Sequence, residues 1–277
     1  MAKVAKLPTE YGASGRWGGR LTKRPLPESD PLLDELSRDD RRALADVWLG
    51  RAAMERRVAD AFAVIRDALR RRNAAFALVR LAERAIDDEY RHAELSRVVA
   101  SRFAGEELAA PKRLALEVPK HASASAELRD TLFVVGQCVL NETTASAFLE
   151  ACLAHAHGAV AKSALRELLS DEIDHGRIGW AHLASLSEAT RAEVSRWLLP
   201  MAFLNLRTWR EQSPEDPEHR SAWTLHGAPP HEVIHRALVD ALRTLIVPGL
   251  KELRMRTDAL DAWLDDGAPT DRLPRRR

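Results

Sequence analysis

The block Asp88-Glu89-Tyr90-Arg91-His92 recurs as Asp171-Glu172-Ile173-Asp174-His175, each time inside a long helical pattern. A Glu and a His three residues apart leave a helix from the same face, so both side chains can grip one ion. Two such helices can hold two ions. No other feature restricts the fold as much, because these side chains meet only if their helices lie side by side.

The surrounding pattern is helical throughout. Ser37 followed by Asp40 predicts a capped helix start, with a helix running to about Arg72 and carrying Trp48, Ala52, Ala59, Phe62 and Leu69 on one stripe. A second helix is predicted from about Ala74 to Phe103, stopping at Gly105, with Leu78, Ala82, Ala85 and Val99 inward. After a crossover containing Pro111 and Pro119, a third helix from Ser125 to Gly158 and a fourth from about Ala159 to Leu186 complete two helical hairpins. A fifth, roughly 187–212 and bent at Pro200, and later helices broken at Pro248-Gly249 should follow. No run alternates as a strand would. The expectation is an all-α chain with an irregular N-terminal arm (1–36), a four-helix body (37–187) and additional C-terminal helices (188–277) packed on it.

Each block has a lone glutamate upstream, on the helix before its own. Glu55 interrupts the apolar stripe between Ala52 and Ala59, and Glu142 interrupts the stripe of Leu132, Val135, Leu149 and Leu153. Four carboxylates and two imidazoles then point inward at one level. Buried together, the carboxylates repel one another, and desolvating each is costly without a compensating cation. Two divalent ions neutralise four carboxylates, and mixed carboxylate and imidazole ligands with open positions suit iron or manganese better than a closed zinc site. Two iron ions are expected, with a manganese–iron pair as the alternative.

The pattern of Glu55, Glu89-x-x-His92, Glu142 and Glu172-x-x-His175 resembles that of the ferritin-like di-iron carboxylate superfamily, over residues 40 to 187. That resemblance implies a ferritin-like four-helix bundle, with Glu89 and Glu172 bridging the metals, Glu55 and Glu142 as terminal ligands, and His92 and His175 giving one nitrogen each. Asp88 and Asp171 would each accept a hydrogen bond from a ligand imidazole. It further implies an oxidase or oxygenase that activates O2 to oxidise a small organic substrate by hydroxylation, N-oxygenation or desaturation, fed by an electron-donor protein or small reductant. The block at 88–92 is similar to those of bacterial multicomponent monooxygenases and acyl-carrier desaturases, although Asp174 stands where a second Arg would be. Leu168 occupies the place where arylamine N-oxygenases of the superfamily carry an extra ligand His.

Other residues have competing readings. His182, seven residues after His175 on the same stripe, is either an outer group of the site or a core histidine bonded to a neighbouring carbonyl or carboxylate. His231-Glu232-Val233-Ile234-His235 matches the zinc-peptidase signature, with Glu232 as general base. Pro229-Pro230 place it at a helix start, Arg236 follows it, and Glu252 comes after the Pro248-Gly249 break, so surface residues opening a helix are expected instead. Tyr90 is rotated about 100° from the metal face, which argues against a tyrosyl-radical role. The seven tryptophans read as core and lid residues.

Two further function classes compete with the oxygenase. One is ferritin- or rubrerythrin-like iron or peroxide handling, against which the C-terminal addition and the lack of paired Cys-x-x-Cys motifs both argue. The other is a metal-free interaction protein. A formal charge of +1 over 277 residues implies neither a nucleic-acid footprint nor a membrane surface held by charge. Cys138 and Cys152 lie too far apart along one helix to bridge, as thiols of a reducing compartment would. With no apolar signal core and no apolar run near the ~20 residues of a membrane span, a cytoplasmic protein is expected, self-associating, if at all, as a homodimer.

Overall fold

Ser37 begins the first long helix as its spacing predicts: its hydroxyl accepts the Asp40 amide at 3.1 Å. The computed structural model describes residues 21–212 and 221–273, and these are helical with no strand among them. The chain is all-α. Part of the N-terminal arm, residues 1–20, lies outside the described residues. The rest crosses the body: Leu21 is buried, Asp30 caps a short helix α1 (Pro31–Asp34), and the other oxygen of Asp30 accepts the Val160 amide at 2.9 Å.

Helices α2 (Arg38–Arg71) and α3 (Phe76–Ala104) form the most extensive helix pair, and Gly105 ends α3 in a left-handed conformation. The next hairpin is α4 (Ala126–Val134), π-helical turns over Val135–Asn141, α5 (Glu142–His155), and α6 (Ala159–Ser185). α6 packs on α3, on α5 and on the π turns, an arrangement compatible with a four-helix bundle. Gly179 permits the last of these contacts, since a Cβ there would meet the Cys138 Cβ and the Val139 Cγ2 at 2.7 Å. Trp48, Phe62 and Phe103 fill the interior, and each fully buried side chain of this size contributes about 1.5–3 kcal/mol.

α7 (Glu188–Ser195), α8 (Leu198–Gln212), α9 (Ser221–Leu225), α10 (His231–Ala241), π turns over Leu242–Ile246, α11 (Val247–Glu252) and α12 (Asp258–Asp265) complete the described chain. α10 packs on α5, and Leu198, Met201, Leu238, Leu242 and Trp263 share one core with Leu132, Val135 and Leu140.

Three expectations are corrected. The predicted fifth helix breaks at 196–197 and not at Pro200, which sits in the first turn of α8 where its missing N–H loses no helical partner. Pro248-Gly249 does not break the later helix, because it begins α11 directly after the π turns, and the chain leaves helix only after Glu252. Finally, one continuous helical stretch, Ala126–His155, is long and apolar enough by composition to cross a membrane, although 56% of its most apolar window is buried inside the protein. The glutamate at its centre had concealed this length from a reading by apolar runs.

Candidate metal centre

The side chains singled out from the sequence arrive from four helices: Glu55 from α2, Glu89 and His92 from α3, Glu142 from the first residue of α5, and Glu172 and His175 from α6. All are buried except Glu55, which borders a cavity. They form two overlapping groups. Glu89, Glu142, Glu172 and His175 present ligand atoms within 4.8 Å of one another, and so do Glu55, Glu89 and His92. Glu89 belongs to both.

The two imidazole rings lie 5.9 Å apart, and Glu89 and Glu172 each divide their oxygens between them. His175 Nδ1 is 3.0 Å from Glu89 Oε1 and 3.3 Å from Glu172 Oε2, while His92 Nδ1 is 3.7 Å from Glu89 Oε2 and 3.5 Å from Glu172 Oε1. Both Nδ1 atoms, both Glu89 oxygens and Glu172 Oε2 are buried without a hydrogen-bond partner. Buried polar atoms are nearly always bonded. Gathered in two overlapping groups, such atoms could serve as a cation-binding donor set, and the mixture of oxygen and nitrogen donors fits a transition metal.

The outward ring nitrogens meet the two aspartates crosswise. His92 on α3 reaches Asp171 on α6, Nε2 to Oδ2 at 3.3 Å, whereas His175 on α6 faces Asp88 on α3 at 3.8 Å, beyond hydrogen-bond reach. Arg91 pairs with Asp171 and Lys23 Nζ donates to it at 3.0 Å. Glu142 is held differently, accepting from Gln137 Nε2 at 2.6 Å. Asn141 lies 3.5 Å from the same oxygen and accepts from Asn205 on α8, which connects the C-terminal helices to the site. Gln137 and Asn141 fall within the π turns, whose extra residue per turn alters the facing of residues around Glu142.

The titration behaviour shows how strongly this site demands positive charge. Burial, with Glu89 and Glu172 nearby, pushes the Glu55 carboxyl up, and burial with Glu172 and Glu89 does the same to Glu142. Burial also opposes the charged forms of Glu89 and His92, but their neighbours overcome it. His175 and His92 hold Glu89 at about 2, and Asp171, Glu89 and Glu172 raise His92 to about 10. His175 is raised as well, against burial, by Glu172, Asp88 and Glu89. Charged imidazoles and raised carboxyls thus offset the crowded negative charge of the cluster.

A cavity of about 1210 Å³ borders Glu55, Glu142 and Glu172. It runs along α2 from Asp46 to Val58 and is walled by Phe148, Leu149, Trp209, Trp223, Pro229 and Pro230 among others. Sequence reasoning left this lining unassigned, since pocket and core residues share the same apolar periodicity.

His182 does not join the cluster. It is buried, neither ring nitrogen has a hydrogen-bond partner, and burial followed by the charge of Arg72 lowers it to about 4. The role in the outer site and the bonded-core role are both corrected. The histidine is simply enclosed, because seven residues bring it back to nearly the face of His175 but about 10 Å further along α6.

His231 does open α10, and its ring stacks on that of His235 at 5.9 Å and 16°. Among the described residues, no third His, Cys, Asp or Glu joins them in a ligand group. Glu252 lies in a different hollow with Lys251 and Asp261. Glu232 is exposed, but it and His231 also border the large cavity, a placement their helix-start position did not reveal. Cys138 and Cys152 are free and buried.

No protein-family profile, no curated protein and no solved structure matches this chain.

Proposed function

We propose that this protein is a di-iron oxidase or oxygenase of the ferritin-like kind, acting on a small organic substrate held in the cavity beside Glu55, Glu142 and Glu172. The observation that carries this reading is the set of orphaned donor atoms on Glu89, Glu172, His92 and His175, enclosed between Glu55 and Glu142 and next to a cavity large enough for an organic molecule.

In this reading Glu89 and Glu172 would be shared by two ions, one held also by Glu55 and His92 and the other by Glu142 and His175. Bound iron would supply O2 activation and the oxidising equivalents, with electrons returned by a donor protein or small reductant. The protein's own groups supply the rest. Asp171 holds the proton of His92 on Nε2, leaving the Nδ1 lone pair inward. Gln137 restrains one oxygen of Glu142. Phe148, Leu149, Trp209 and Trp223 give the cavity an apolar side against which an organic substrate would lie. A manganese–iron pair fits the same donors.

The test is anaerobic titration with Fe²⁺, followed by O2. Binding of two irons per chain with a single-turnover optical change and no further uptake is expected. Failure to bind metal would leave an interaction protein, and continued uptake with mineral growth would mean iron storage.

A further inference from the structure

Two arginines line the cavity beside the metal cluster, and Arg57 has the charge of Glu117 near it, whereas Arg51 has no such counter-charge among the described residues. Arg51 projects from α2 one helical turn before Glu55 and lines the cavity. Its guanidinium lies 4.4 Å from the centre of the Trp48 ring and 5.2 Å from that of Phe148. Nη2 donates to the Gly227 carbonyl and, at 3.5 Å, to Cys152 Sγ, while Nη1 is buried with no acceptor. Among the described residues no carboxylate pairs with it. A guanidinium set among aromatic rings is costly to leave unpaired, and with Nη2 committed to Gly227 and Cys152 it is the Nη1 end that lacks an acceptor such as a carboxylate oxygen. On the same wall Asp46, Glu55, Glu142, Glu172 and Glu232 outnumber Arg51 and Arg57, which opposes a dianion and favours the single charge of a carboxylate over a phosphate.

We propose that Arg51 binds the carboxylate of an apolar organic acid, which is the substrate of this centre, with its apolar body lying along Phe148, Trp209 and Trp223. The four-residue step from Arg51 to Glu55 is about 6 Å of helix rise, so an acid held at Arg51 would lie about one helical turn from the metal cluster. The substrate assignment rests on the di-iron reading, whereas the binding itself does not.

The test is calorimetric binding of 2-naphthoate and of neutral 2-naphthamide to the full chain, both metal-free and loaded with Fe²⁺ without O2. The acid should bind at least about tenfold tighter than the amide in both forms. Arg51→Met, which keeps the stem and leaves no orphaned charge, should reduce the acid to the affinity of the amide and leave the amide unchanged. Equal affinities in the wild type, a preference that survives Arg51→Met, or one seen only with iron bound would each overturn the proposal, the last by indicating direct metal ligation. Should Arg51→Met not fold, Arg51→Lys keeps the charge without the fork. It should weaken the acid severalfold, and an unchanged acid affinity there overturns the proposal. Iron uptake, read separately, tells the two failures apart: acid preference without iron uptake breaks only the di-iron reading, and iron uptake without acid preference breaks only this one.

Discussion

Around His92, the aspartate that faces the ring is held on three sides, by the imidazole, by Arg91 and by Lys23 from the N-terminal arm. Burial pushes Asp171 upward, but these partners keep its carboxyl well below the usual carboxylate range. Around His175, Asp88 stands off at 3.8 Å, with Arg84 and Arg91 at 3.4 and 3.6 Å. On that side it is the carboxylate of Glu142 that is braced, through Gln137. Two nearly identical sequence blocks thus receive different supports, because the arm and Arg91 both converge on Asp171. The His92 half is restrained at its imidazole and the His175 half at its carboxylate, so the two proposed ion positions should differ in affinity.

The largest effect tests whether the halves are linked at all. Glu89→Ala and Glu172→Ala should each reduce bound iron from two per chain to almost none, measured by metal analysis, because both carboxylates reach both imidazoles. Glu55→Ala and Glu142→Ala should each lose one ion, on opposite sides. Glu232→Ala should leave the metal count intact.

Next in size is the comparison of the two aspartates. Asp171→Ala should weaken one ion by about 10–100-fold, as loss of a partner behind a ligand imidazole does. Asp88→Ala should cost about threefold, given its longer distance. Competition with a chromophoric chelator would measure both, and equal losses would break the asymmetry.

The third expectation concerns pH. The folded pKa of His92, about 10, lies above its ordinary 6.5. The stability it contributes is fully present below pH 6.5 and is lost as pH rises through 10. The raised carboxyls of Glu55 and Glu142 act in the same direction, losing their contribution as pH rises above their usual value. Thermal melts of the metal-free protein should therefore fall between pH 6.5 and 10, and bound metal should flatten that slope. A metal-free melting temperature that rises over this window would contradict the charge assignment.

Lys23→Ala should have the smallest effect. Its side chain is 57% exposed, so the pair with Asp171 contributes no more than about 1 kcal/mol. A loss of less than about fivefold in affinity, confined to the His92 ion, is expected in the same chelator assay.

Most of the cluster was legible before any coordinates, since Glu55, Glu89, His92, Glu142, Glu172 and His175 each break an apolar stripe on a predicted helix. Gln137 and Asn141 left a fainter signal, as polar residues within an otherwise apolar run. Their role was hidden because α-helical spacing does not predict how π turns face. Pro200 and Pro248 misled for a related reason: a proline marks a break only where the N–H it lacks would have been bonded, and both sit in first turns. Arg51 gave no signal at all, since an arginine in a helix ordinarily faces solvent.

By itself, then, the sequence determined an all-α chain and the chemical character of its interior, because helical periodicity and the i, i+3 pairing of Glu with His are local properties of the backbone. Only the tertiary structure decided which aspartate serves which histidine, how the arm reinforces one half of the site, and where the cavity opens. Those outcomes depend on the rotation and register of packed helices, which are set by contacts between residues far apart in the chain.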